Sequence, residues 1–167
     1  PITVDPGPLY RQLQQFPTTL RSKGILVPTS ELPMSMSAAR WRARRSRIAR
    51  PQRGLYLLGD TPPDLEDLAR AALAVAPPHA VIGFHTAAAL LGFGVVAADT
   101  VHVVVPAGQA FPQRRGITVH QSVVPIAPFA VRGVRCTTPA RTAIDLARIL
   151  ARPDALAVLD AALASNT

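Results

Sequence analysis

The chain has 167 residues, 49% of them hydrophobic and 5% aromatic, which is enough apolar material for a core built mainly of alanine, valine and leucine. Its single cysteine, Cys136, excludes an internal disulfide and any multi-cysteine metal site. No apolar stretch reaches the ~18 residues of a membrane-spanning helix, and Pro1 to Asp5 lack the basic-then-apolar pattern of an export signal, so a soluble cytoplasmic protein is expected.

The formal net charge of +8 is unevenly spread. Residues 1–60 hold nine arginines and Lys23 against Asp5, Glu31 and Asp60, whereas residues 61–167 hold eight arginines against seven acids. A basic excess confined to one small segment is the electrostatic footprint of a polyanion-binding module.

In chain order, Leu9, Leu13 and Phe16 recur at helical spacing after Pro8, and Pro17 ends the run. Ile25 to Val27 read as a short strand. Thr29 or Ser30 caps a brief helix that Pro33 stops, and Ser35 or Ser37 caps a third helix running to about Arg45. Ile48 to Arg50 and Leu55 to Leu58 read as two strands joined by Pro51-Gln52-Arg53-Gly54. Helix, strand, short helix, helix and hairpin is the order of a winged helix-turn-helix, expected here over residues 1–60. On the third helix the inward seam is expected at Ala39 and Ala43, with Arg40 outside the core.

Arginine forks onto guanine edges and phosphates, and a helix start adds backbone N–H groups that favour phosphate. The expected DNA-contacting residues are therefore Ser37, Arg40, Arg42, Arg44 and Arg45 on the helix, Arg47 just after it, and Arg50, Gln52 and Arg53 on the wing.

Gly59 to Pro63 read as a linker, and residues 61–167 as an α/β domain of three to five strands and three or four helices. Leu65, Leu68, Ala69, Ala72, Leu73 and Ala76 form one face of a helix ended by Pro77-Pro78. Ala80 to Phe84 is strand-like, and Thr86 caps a short helix closed by Gly92 and Gly94. Val101 to Val105 is the strongest strand signal. Ile117 to Val124 is a second strand, reached through Gln113-Arg114-Arg115-Gly116, and Val131 to Cys136 a third. Thr138 caps a helix from Pro139 to Leu150 with Ala143, Ile144, Ala147 and Leu150 on one face. Asp154 starts a last helix.

No catalytic constellation emerges. His79, His85, His102 and His120 lack metal-site spacing. His102 and His120, each in a strand, are placed on a solvent face, although two strand histidines can also meet across a sheet. Arg141 and Asp145 read as an intrahelical ion pair. No cofactor and no metal are expected, and binding is favoured over catalysis.

Three segments carry a resemblance. Arg47 to Tyr56, with Arg-Gly-Leu-Tyr at its end, resembles the wing of the abortive-infection type IV antitoxins (AbiEi-like). Phe84-His85-Thr86-Ala87-Ala88-Ala89-Leu90-Leu91-Gly92 is similar to a helix of that family, and so is Thr138-Pro139-Ala140-Arg141-Thr142-Ala143-Ile144-Asp145. The resemblance implies a non-enzymatic bacterial antitoxin whose winged helix represses its own operon and whose α/β domain counters a nucleotidyltransferase-like toxin. The basic Arg114-Arg115 turn is the guess for a toxin-facing element. Two alternatives stay open: the recognition portion of a very-short-patch-repair-like endonuclease, a domain found in many relatives, and a plain winged-helix transcription factor.

Overall fold

The computed structural model describes residues 25–32, 34–39, 49–58 and 62–165. The expected first helix, Arg40 to Arg47, Ala43 and the Gly59 to Thr61 part of the linker lie outside them. The chain divides into two compact units, Pro1–Asp67 and Leu68–Thr167.

In the first unit, β1 (Ile25–Pro28), β2 (Ala49–Gln52) and β3 (Leu55–Leu58) form an antiparallel sheet in the order β1-β3-β2. The hairpin turn is shorter than the sequence suggested. Arg53 and Gly54 alone make it, and Gly54 takes a positive φ of +90°, which glycine adopts without a Cβ penalty. Pro51 and Gln52 belong to β2, where the register shifts between Ala49 and Gln52. β2 is an edge strand, and an edge with a bulge is where a residue lacking an N–H is tolerated.

Between β1 and β2, a single 3-10 turn at Thr29–Glu31 replaces the expected short helix, and its cap residue is Pro28. The Thr29 N–H goes instead to the Gly54 carbonyl, 2.9 Å away. Residues 36–39 are helical, and Ser35 is their cap, its Oγ accepting the Ala38 N–H. Ala39 is fully buried against Tyr56, with Leu32, Met34, Met36 and Leu58 packed around them. The alanine seam thus faces the core at Ala39.

The second unit holds a five-stranded mixed sheet in the order β6-β5-β4-β8-β7. Its strands are β4 (Val81–Ile82), β5 (Val101–Pro106), β6 (Ile117–Ser122), β7 (Pro128–Val131) and β8 (Val134–Thr137). Helices α1 (Leu65–Ala74), α2 (Phe84–Leu91), α3 (Pro139–Ala147) and α4 (Arg152–Ala164) accompany it. Helix α1 starts in a reciprocal cap: the Asp67 N–H meets Asp64 Oδ1 and the Asp64 N–H meets Asp67 Oδ2.

Ala69 and Ala72 of α1 pack with Ile82, Val101, Val103, Val105, Val134 and Cys136. Val81 and Val104 point the other way, into a cluster with Phe84, Ala88 and Phe93, Ala143 and Leu146 of α3 and Val158 of α4. The sheet is therefore covered on both faces, which is why β5 reads as a continuous apolar run.

Three expectations need correction. Val131 to Cys136 is not one strand but the end of the β7–β8 hairpin, because Arg132 and Gly133 take φ of 50° and 81°. The strand expected from Ile117 to Val124 ends at Ser122, and residues 107–116 cross from the end of β5 to its start because the two strands run parallel. On α3 the buried residues are Thr142, Ala143, Asp145 and Leu146, while Ile144 is 54% exposed.

Gly92, at φ +90°, ends α2, with N–H groups of Gly92 and Phe93 returning to the Ala89 and Ala88 carbonyls. The chain then doubles back so closely that a Cβ on Gly94 would lie 2.8 Å from Ala89 Cα and 2.9 Å from its nitrogen. Backbone on that side has little room to yield. Gly94→Ala is expected to cost about 1–3 kcal/mol and to lower the melting temperature accordingly; an unchanged transition in thermal denaturation would show that the segment moves away freely.

Candidate functional site

Two groups of residues were singled out by their chemistry, one in each unit. In the first unit Ser37 is exposed at the start of the helical turn, its Oγ 3.1 Å from Ser35 Oγ. Arg50 is exposed on β2 with its guanidinium 5.6 Å from the Tyr56 ring centre, a cation–π contact that props the side chain over the sheet. Gln52 ends β2 opposite Leu55, and Arg53 is exposed at the tip of the turn. Arg40, Arg42, Arg44, Arg45 and Arg47 lie outside the described residues.

In the second unit a polar cluster forms where β4 gives way to α2. Two β4–β5 pairs, Val81↔Val104 and Ile82↔Val103, are followed by Gly83, whose N–H donates to the His102 carbonyl. The Gly83 carbonyl, however, accepts from Ala87 N–H as α2 begins, leaving the His102 N–H without a strand partner. Thr86 Oγ1 accepts it at 2.9 Å. Thr86 is therefore not the cap of α2: Gly83 holds that position without a side-chain bond, and the Thr86 hydroxyl ties the helix to the sheet. Phe84, the first residue of α2, pays for the abrupt change with φ 50°, a strained value of about 1–3 kcal/mol for a residue with a Cβ.

His102 and His120 lie on the same face of adjacent parallel strands, two residues out of register, as His102 pairs with Thr118 and His120 with Val104. Their Nδ1 and Nε2 atoms are 3.0 Å apart. The expected solvent-face placement is overturned for His102, which is 8% exposed because this face of the sheet is covered too. The Phe84 ring stacks on His120 at 3.7 Å between centres, and His85 stands 4.9 Å from His102. Burial lowers the proton affinity of all three histidines, pushing His102 down to about 4 with help from His120 and His85.

Helix α3 closes the cluster. Arg141 Nε donates to Asp145 Oδ2 at 2.7 Å, the intrahelical pair read from the sequence, and its Nη2 donates to Ser122 Oγ at 3.1 Å. Asp145 is buried, and its charge favours the protonated form of His120 against the burial that lowers it. This polar bridge explains why α3 buries Asp145 and exposes Ile144. Ser122 was not anticipated, although it stands two residues past His120 in the same strand and so shares its face. Cys136 is buried, its thiol pushed up to about 11, and is inert. Among the described residues no group of three or more His, Cys, Asp or Glu is placed to hold a metal ion.

The guessed Arg114-Arg115 element closes the β5–β6 crossover. The Arg114 carbonyl accepts the Ile117 N–H, its Nε is buried with no hydrogen-bond partner, and Arg115 is exposed. No helix among the described residues is long and apolar enough to cross a membrane.

Replacing the Thr86 hydroxyl by a methyl tests the join directly. Thr86→Val keeps the shape and leaves the buried His102 N–H unpaired, for an expected loss of about 1–3 kcal/mol in denaturant unfolding. Thr118→Val, whose partly buried hydroxyl meets only Thr100, is expected to cost less than about 1 kcal/mol. Equal effects would remove the special role given to Thr86.

A model of the AbiEi antitoxin C-terminal domain matches residues 79–166, half of the chain. Two uncharacterized proteins of Mycobacterium tuberculosis, Rv2248 and MT2308, are each 45% identical over 87 residues, covering 52% of this chain and 31% of their own length. The chain thus spans about a third of the curated relatives it matches. The crystal structure of the RV2827C protein from Mycobacterium tuberculosis resembles it with a TM-score of 0.52 and 15% identity, over 78% of this chain and 57% of that one. That likeness is one of fold.

Proposed function

The chain belongs to the AbiEi antitoxin family through its C-terminal domain, and we propose on that premise that it is the antitoxin and autoregulator of a toxin–antitoxin pair. Residues 61–167 form the domain that neutralises a nucleotidyltransferase-like toxin, and residues 1–60 form a winged helix-turn-helix that binds operator DNA and represses the operon. The protein works by binding and not by turnover.

The observation that carries the reading is the match to the antitoxin domain over residues 79–166, the part of the chain that contains the polar cluster. The DNA-binding half is supported by charge and by shape. The arginines concentrate in residues 1–60, the helical turn is capped by Ser35, and the β2–β3 hairpin exposes Arg50 and Arg53. Arg40, Arg42, Arg44, Arg45 and Arg47 follow that turn in the sequence, and a basic helix with a wing is what a groove reader with a backbone clamp uses. Arg114 and Arg115 are offered as toxin-facing residues because they make a basic turn in a nearly neutral domain.

If about five arginines neutralise phosphates, log K against log salt should slope at roughly −4 to −5 with DNA from upstream of the gene. Arg50→Gln and Arg53→Gln should each weaken binding and reduce the slope by about 1. No shift of that DNA, or a slope near zero, removes the repressor half. The antitoxin half is tested separately: co-expression with the toxic product of the neighbouring gene should restore growth, and failure to restore it removes that half.

A further inference from the structure

A 3.0 Å contact between His102 Nδ1 and His120 Nε2 needs one N–H and one lone pair. Two neutral rings satisfy it, and so does a pair carrying one extra proton. Two extra protons set N–H against N–H, and the distance cannot be kept. We propose that this pair is an acid-sensitive clasp, which one proton leaves closed and a second opens, freeing the start of α2 from the sheet.

The groups facing the pair come from every element packed on it. Helix α2 presents His85 and Phe84, α3 presents Arg141 and Asp145, and β6 presents Ser122 and Thr118, whose hydroxyl is held by Thr100. His120 takes the first proton because Asp145 favours its charged form. His102 takes the second, against burial and then against His120 and His85. Both imidazoles bind protons less readily when folded than in an unfolded chain, where the ordinary value is 6.5. The clasp is therefore closed above pH 6.5 and is lost as the pH falls towards about 4, where His102 titrates.

Phe84 transmits the change. Its strained φ of 50° is held by a ring stacked on His120, and it begins the helix whose first turn is tied down by two amides. Ala87 N–H bonds to the Gly83 carbonyl and His102 N–H to Thr86 Oγ1. When the rings part, the stack goes and those two amides lose their support.

Hydrogen exchange of the full chain, followed by NMR and corrected for the intrinsic effect of pH, reads this locally. From about pH 7 to about pH 4, Ala87 and His102 amides are expected to lose at least about tenfold protection. Those of Val101 and Ala155, bonded to the Gly116 and Ala151 carbonyls, should change less than about twofold. In His102→Asn/His120→Gln, whose amides stand near Nδ1 and Nε2 without titrating, the difference should vanish; its persistence overturns the clasp. Should that variant not fold, the unmodified chain still decides, since equal losses at all four amides, or none, overturn it. Micromolar Zn²⁺ that protects Ala87 and His102 and abolishes the pH response would also overturn it, by making the pair metal ligands.

Discussion

Gly83 must serve two structures at once. Its N–H completes the β4–β5 ladder and its carbonyl starts α2, so one residue ends a strand and opens a helix with no intervening loop. No side chain fits there, because a Cβ would stand 2.4 Å from Val104 Cγ2. The double duty strands one amide on β5, and Thr86 answers it; it also forces Phe84 into a strained backbone and lays its ring on His120. The polar cluster follows from that one transition.

Much of this was legible, and the failures have specific causes. The capped helix Pro139–Ala147, the α2 helix with its glycine stop and the Val101 strand all carry strong local chemistry, and local chemistry is what a sequence displays. The β7–β8 hairpin was also written out, as Arg132-Gly133 between apolar runs, but Pro125 and Pro128 nearby masked β7 as loop. His102 was misplaced because polarity was weighed ahead of context. A strand with valine at 101, 103, 104 and 105 is apolar on both faces, so both faces are covered, and a histidine within it goes inside. The Ser122–Arg141 bond could not be read at all, since it joins β6 to α3 across many residues that say nothing about their proximity.

The two units divide the chemistry. Around Ala39 and Tyr56 a few aliphatic side chains support a small sheet that exposes Ile25 and Arg50, with Arg53 exposed at the hairpin tip. The second unit has near balance of charge and a sheet sealed on both sides, and one ion pair, Arg141–Asp145, is turned inward toward the histidines. One surface suits a polyanion irrespective of its fine shape, because phosphate attraction is long-ranged. The other unit matches the AbiEi antitoxin C-terminal domain over residues 79–166.

The parallel pairing of Ile82 with Cys136 fixes when the second unit can exist. A chain emerging from the ribosome can pair β4 with β5 and lay β6 alongside, but the other flank of β4 stays open until β8 has been made. Strand pairings this far apart in the chain form slowly. The interval exposes the edge of a strand that is wholly buried at the end, in a half-built sheet prone to capture by other chains. The second unit therefore cannot close its sheet until Cys136 has been made.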